Sequence, residues 1–293
     1  MDIALEKFKK AVRKDRVVHI SDAVPDGGIL SKPTPIGYNV FDNVMEGGVR
    51  DGDLVIATGL SGCGKTTFLQ NITVNLSKDK ANCLWFTYEV IANNLFAKFK
   101  EMGADEDNLR VYMPKNIMSG NLDWVTEKIE EGLEEYNTKY IFIDHIDFLS
   151  PLNVKSSDQQ RMMLRAICTQ LKSLAIRLKV TIFLVAHVRK IQGNRRVEMQ
   201  DIAESAGIFQ LADFVFAIGR ESHLEDSNGK KMEIYDDGGD LRILKNRLTG
   251  QFPMFTFTIR DNIIVPDGED VKDMSSYYEK EKDPIVNALE VLK

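Results

Sequence analysis

Cysteine is scarce. Cys63, Cys83 and Cys168 are the three in the chain, an odd number with no C-x-x-C spacing, which argues against both a disulfide framework and a zinc site. All three read as packing residues, with Cys63 open to a second reading as an oxidation-sensitive position. No apolar run approaches the roughly 20 residues that cross a bilayer, and the N-terminus lacks the layout of a signal peptide. A membrane partner is therefore not expected, and the expected location is the cytoplasm, that of the host if the chain is phage-encoded. Positive net charge is missing as well: the formal charge is -6, so any contact with nucleic acid has to come from a local basic patch. What remains is ordinary for a globular protein, 43% hydrophobic and 28% charged over 293 residues, enough for one large domain with appendages.

The most informative stretch is residues 53–67, Asp-Leu-Val-Ile-Ala-Thr-Gly-Leu-Ser-Gly-Cys-Gly-Lys-Thr-Thr. Leu54 to Ala57 read as a buried strand, and Gly59, Gly64, Lys65 and Thr66 then fall at the spacing of a phosphate-binding loop. Glycines let successive backbone N–H groups curl around a triphosphate. Lys65 adds a point charge at the β/γ-phosphates, and the Thr66 hydroxyl is offered to Mg²⁺. Ser61, Gly62, Cys63 and Thr67 complete the loop. Phe68, Leu69, Ile72 and Leu76 follow at helical spacing, so a helix opens with its positive end towards the anion. ATP and Mg²⁺ are the expected cofactors.

Taken in order, residues 1–14 form a short amphipathic helix with Leu5, Phe8 and Val12 on one face. Whether that face caps its own core or docks on a neighbouring subunit, spacing leaves open. Residues 21–37 hold three of the eight prolines together with Gly27, Gly28 and Gly37, which reads as a linker. Beyond the loop, apolar runs at 83–87, 110–113, 140–143 and 180–186 alternate with helical stretches at 123–136 and 158–178. Strands that stop at polar groups and are separated by helices predict an α/β fold, a mostly parallel sheet with helices on both faces. Ligands in such sheets sit at the carboxyl ends of the strands, where Glu89, Asp144 and His187 fall. A short helix at 201–212, a strand at 214–218 and a polar, acid-rich excursion at 221–239 turning at Asn228-Gly229 come next. Late strands at 241–244 and 255–259 close the domain near Val265. The charged tail from Pro266 can end in a helix capped at Asp283-Pro284. The expected division is thus 1–32, 33–265 and 266–293.

Hydrolysis of a γ-phosphate needs a held metal, a positioned water and positive charge for the transition state. Asp144 is the expected partner of Mg²⁺ with Thr66, against the alternative of a helix-capping aspartate. Glu89 is the candidate to polarise the attacking water, against a solvated loop carboxylate. His187 is placed to sense the γ-phosphate and pass its state to residues 188–197, where Arg189, Lys190, Arg195 and Arg196 stand with no acid. These four are the expected contacts to single-stranded DNA, against a merely solvated loop. Lys245 and Arg247 flank one residue, so on a strand both point to one face. Composition reads them as surface cations; facing a neighbour's nucleotide, Arg247 would be an arginine finger.

The ordered set of Gly59 to Thr67, Glu89 after Leu84-Trp85-Phe86-Thr87-Tyr88, Ile143-Asp144-His145, Leu184-Val185-Ala186-His187, residues 201–213 and Leu244-Lys245-Asn246-Arg247-Leu248-Thr249-Gly250 resembles the RecA-type motor domain of hexameric replicative helicases. The DnaB-like family is the broad match, and the phage primase-helicase and Twinkle branch the closer one, over about residues 33–265. The resemblance implies a RecA-like P-loop NTPase core and a homo-hexameric ring with ATP at each subunit boundary. It also implies translocation on single-stranded DNA with unwinding of duplex during replication. On that analogy Gly62, Gly64, Lys65, Thr66, Glu89 and Asp144 act in cis, and Lys245 and Arg247 act in trans. Gln210 matches a glutamine linked to nucleotide and DNA sensing, and Arg220 an arginine that packs on the base. Ala203 and Phe209 stand where the closer branch carries arginines, and no primase or collar region precedes the motor, which implies a separate primase or loader. The rivals are a RecA/RadA-like recombinase or mediator filament and an ATP-switched loader that does not translocate.

Overall fold

The computed structural model of the protein describes residues 19–20, 31–104, 109–150, 156–187, 197, 206–227, 230–268 and 272–273. The chain divides into two units, Met1–Lys32 and Pro33–Lys293, and the elements below belong to the second. The amphipathic helix expected at 1–14, most of the 21–37 linker, the 188–196 part of the basic loop, Ala203 and the helix expected after Asp283 lie outside the described residues.

Six strands form a parallel core: β1 (Leu54–Gly59), β2 (Cys83–Thr87), β3 (Val111–Tyr112), β4 (Tyr140–Asp144), β5 (Thr181–His187) and the first part of β6 (Phe214–Ser227). Their order across the sheet is β3-β2-β4-β5-β1-β6. Beyond β6 the sheet turns antiparallel through β7 (Lys230–Asn246) and β8 (Pro253–Arg260), and β9 (Ile263–Pro266) and β10 (Lys272–Asp273) both pair with β8. β10 thus carries the sheet past the boundary expected near Val265.

Burial on both faces explains why the parallel strands are apolar without alternation. Val55 and Ala57 of β1 face one core, packed with α1 (Asn39–Val44), α2 (Lys65–Lys78) and α3 (Ala92–Glu101). Leu54 and Ile56 face the other, packed with α4 (Leu122–Tyr136) and α5 (Ser157–Leu178). Across β2, β4 and β5 the partners Trp85, Phe142 and Phe183 stack with centroids 5.0 and 4.7 Å apart and planes 6° and 5° from parallel. Such aromatic pairs add about 0.5–1.5 kcal/mol each beyond burial. The Trp85 indole N–H donates to Thr73 Oγ1 at 3.0 Å, tying α2 to this stack. Both long helices of the second face begin on a side-chain cap, Asn121 accepting from the Trp124 N–H and Ser156 from the Gln159 N–H.

The acid-rich stretch 221–239, expected as a polar excursion turning at Asn228-Gly229, is paired along its length. It pairs as a long hairpin, Ser222 with Tyr235 and on to Ser227 with Lys230, while Asn228 and Gly229 themselves lie outside the described residues. Cross-strand pairing satisfies the backbone whatever the side chains, which a polarity argument overlooks. A register shift between Arg220 and Ser222 marks a bulge where the hairpin leaves the sheet.

Candidate functional site

The carboxyl ends of four adjacent strands converge. Gly59 at the end of β1 pairs with His187 at the end of β5, and Thr87 at the end of β2 pairs with Asp144 at the end of β4. Gly64 sits at φ 100° just before α2 (Lys65–Lys78), so the loop enters the helix with unpaired N–H groups turned to one point. A Cβ at Gly62 (φ 79°) would lie 2.8 Å from the Tyr235 ring; only glycine fits the loop here.

Within the loop, the buried Lys65 Nζ donates to the carbonyls of Gly59 (3.1 Å) and Leu60 (2.6 Å). Burial holds its pKa below the lysine range. The Thr66 hydroxyl donates to Asp144 Oδ2 at 2.7 Å, and Asp144 is 1% exposed. A hydroxyl and a carboxylate oxygen, side by side at a phosphate loop, are a hard oxygen pair suited to Mg²⁺, so the residues present fit that ion. Cys63 is 2% exposed and burial pushes its thiol up, so the oxidation-sensitive reading gives way to packing; Cys83 and Cys168 are likewise free and buried.

Glu89 is exposed and is carried over the site by a turn in which the Val90 N–H donates to Thr87 Oγ1 at 3.1 Å and the Tyr88 N–H donates to the Asp144 carbonyl at 3.0 Å. Its Oε1 lies 3.6 Å from His145 Nδ1. The rings of His145 and His187 meet edge to face, with centroids 4.4 Å apart. Burial, then the charge of Lys65, pull the His187 pKa down to about 4, and burial lowers His145 too. Both imidazoles are neutral at pH 7.

Burial also lifts the Asp144 carboxyl from 3.8 to about 6, with the Thr66 hydrogen bond pulling down and Glu89 pushing up. A folded-state value above the unfolded one favours the fold below pH 3.8, and that contribution is lost as pH rises through about 6. At pH 8 the buried charge is therefore a net cost, of order 1–3 kcal/mol. Asp144→Asn keeps an oxygen for Thr66 and removes the charge. The variant is expected to melt a few degrees higher than the parent at pH 8, with the gap closing at pH 5; melts of nucleotide-free protein check it, and a lower melting point at pH 8 would contradict the assignment.

Arg220 and Tyr235, from the hairpin base, roof the loop. Arg220 Nε donates to the Asp236 carbonyl at 2.8 Å, its guanidinium lies 5.7 Å over the Tyr235 ring, and the Tyr235 hydroxyl donates to the Ser61 carbonyl at 2.6 Å.

Three expected site residues stand elsewhere. Lys245 pairs with Val215 near the start of β6, whereas the phosphate loop follows the end of β1. Along the strand direction the two lie roughly 13 Å or more apart. There Lys245 Nζ donates to the carbonyls of Phe209 (2.9 Å) and Gln210 (2.8 Å), and Arg247 donates to Asp213 Oδ1 (3.1 Å) and the Gln210 carbonyl (2.8 Å). Burial, then Arg247, depress the Lys245 pKa to about 8. Gln210 is exposed at the end of α6 (Ala206–Leu211), and the neighbouring Phe209 side chain is 3% exposed in the second core. An apolar core position explains why no arginine stands there. Arg189, Lys190, Arg195 and Arg196 fall outside the described residues.

Sequence reasoning gave no role of their own to His145, Asp147 and Tyr235. His145 and Asp147 follow Asp144 directly, so their position at a strand end was the available signal. Tyr235 is brought to the loop by hairpin geometry, and nothing local announces it.

Comparison with known proteins bears on this geometry. The KaiC-like protein PH0186 from Pyrococcus horikoshii aligns with a TM-score of 0.59 and 20% identity, covering 81% of this chain and 100% of that one, and shows a RecA/KaiC-like P-loop fold. The DNA repair protein RadA of Aquifex aeolicus is 22% identical over 248 residues, 84% of this chain and 48% of its own length. RadA of Bacillus subtilis is 26% identical over 161 residues, 54% of this chain and 33% of its own. The chain therefore spans less than half the length of these relatives. Among the described residues no helix is long and apolar enough to cross a membrane. The AAA_25 family model, described as an AAA domain, matches residues 16–193, more than half of the chain and a span that includes Lys65, Glu89, Asp144 and His187, and the chain belongs to that family.

Proposed function

We propose that the chain is an ATP hydrolase that assembles head to tail into a homo-hexameric ring, moves on single-stranded DNA in the cytoplasm and unwinds duplex during replication. The observation that carries this reading is the position of Arg247. It is half-exposed, held by Asp213, and at the amino ends of the strands, while its own phosphate loop is at the carboxyl ends. A cation held there serves a neighbour's nucleotide, and Lys245 and Gln210 belong to the same group. Within one subunit, Lys65 and the loop N–H groups hold the β/γ-phosphates, and Thr66 with Asp144 would hold Mg²⁺, which supplies charge neutralisation on the phosphoryl oxygens. Glu89 accepts a proton from the attacking water. His187, neutral and next to Glu89, passes the state of the γ-phosphate to residues 188–197, and the loop's grip on DNA changes with it.

Arg195→Ala with Arg196→Ala is expected to reduce the slope of log affinity against log salt by about 1–2 on a single-stranded oligonucleotide. An unchanged slope would remove the loop from the DNA contact.

The RadA relatives favour a second reading on the same core, a DNA-repair or recombination ATPase that binds strands without unwinding them. Forked substrates with each tail polarity separate the two. ATP-dependent strand displacement supports the motor; strand binding with DNA-stimulated turnover but no displacement supports the RadA-like reading. Slow turnover indifferent to DNA would point to a loader that uses ATP as a switch.

A further inference from the structure

Beside the oxygen pair of Thr66 and Asp144 lies a second donor set of different chemistry. One ligand atom from each of Glu89, His145 and His187 lies within 4.8 Å of the other two. His145 Nδ1 is fully buried and has no hydrogen-bond partner, while Glu89 Oε1 is 3.6 Å away, too long for a hydrogen bond. Two ligands of one tetrahedral ion, each about 2.0–2.2 Å from it, stand about 3.3–3.6 Å apart; the Glu89–His145 spacing matches that, and His187 lies within 4.8 Å of both. On the other side of the ring, His145 Nε2 lies 3.3 Å from Asp147 Oδ2. A carboxylate there favours the proton on Nε2 and leaves the Nδ1 lone pair facing Glu89, the arrangement in which an outer carboxylate orients a metal-ligating histidine. A buried nitrogen without a hydrogen-bond partner is thereby accounted for.

We propose that Glu89, His145 and His187 form a binding site for a borderline transition-metal ion, Zn²⁺ in the first instance, with Asp147 as the positioning residue for His145. Two imidazoles and one carboxylate with a fourth position open are a zinc donor set, and imidazole discriminates against Mg²⁺. The site is therefore distinct in ligand type from the Mg²⁺ pair. Binding does not depend on the proposed reaction. Its consequence does: if Glu89 activates water, Zn²⁺ occupies that carboxylate and stops ATP turnover.

The test uses the full chain, free of nucleotide and Mg²⁺, titrated with Zn²⁺ against a chromophoric chelator and with Co²⁺ followed by visible absorption. One equivalent should bind, with Co²⁺ bands of low-coordinate intensity. His145→Ala and His187→Ala should each weaken binding by roughly 100-fold or more, Asp147→Asn by roughly 10-fold, and Cys63→Ser not at all. His187→Gln, with a circular dichroism check, guards against a misfolded variant. Loss of affinity that follows Cys63 or Asp144 instead, or binding indifferent to both histidines, would overturn the site. Zn²⁺ binding without inhibition of ATP turnover would leave the site standing and count against Glu89 as the water-activating group.

Discussion

Lys65→Ala is expected to abolish ATP turnover, lowering kcat by roughly 10²–10³ or more in a phosphate-release assay. The side chain is 5% exposed and lies among Cys63, Asp144 and Glu89, so its ammonium is a cation held in a poorly solvated place beside two carboxylates. In such surroundings a fixed charge acts on a developing phosphoryl charge with little screening. The present partners of Nζ, the carbonyls of Gly59 at the end of β1 and of Leu60 in the loop, stand within six residues of it, so the variant loses local contacts alone and is expected to fold. Turnover within tenfold of the parent, in protein with a parental melting curve, would contradict the role.

Arg247→Ala is expected to lower kcat by roughly 10³–10⁵, with nucleotide affinity changed only a few-fold. Its same-chain contacts cannot explain a loss of that size. Arg247 is half-exposed in its pair with Asp213, and exposed pairs contribute about 0.2–1 kcal/mol. Asp213 also keeps Lys172 and the Leu54 N–H, so the fold is not at stake. Mixing Arg247→Ala with Lys65→Ala provides the sharper measurement. Each inactive variant carries the half that the other lacks, so with random mixing about a quarter of the interfaces regain both. No recovery would mean that Arg247 does not act across subunits.

The parallel core was legible because strands buried on both faces spell themselves as unbroken apolar runs. Residues 83–87 and 140–143 match β2 and β4 to within one residue. Of the long hairpin the turn position was legible, at Asn228-Gly229, but not the extent of its strands. Its charged residues satisfy no hydrophobic period, and the backbone pairing that makes it a strand pair leaves no mark in composition. The loop and the strand-end Glu89, Asp144 and His187 could be read from spacing and order alone. Lys245 and Arg247 could be named from the chain, but their distance from the loop follows from β7 running antiparallel to β6, which only the sheet reveals. Cysteine spacing bore only on thiolate ligands and was silent on His145 and His187, which are 42 positions apart in number and touch only because β4 and β5 are neighbours.

The separation between the two ends of the sheet has an arithmetical consequence for the proposed assembly. If fuel is held at one end and the completing guanidinium is borne at the other, a linear stack always terminates in one unfinished pocket and one idle arginine, whereas a closed circle has neither. Catalytic rate per polypeptide would then climb towards a plateau as linear stacks lengthen, and jump to full value on closure at any size. Turnover per subunit, followed against the length of the assembly, thus reports its topology without an image of it.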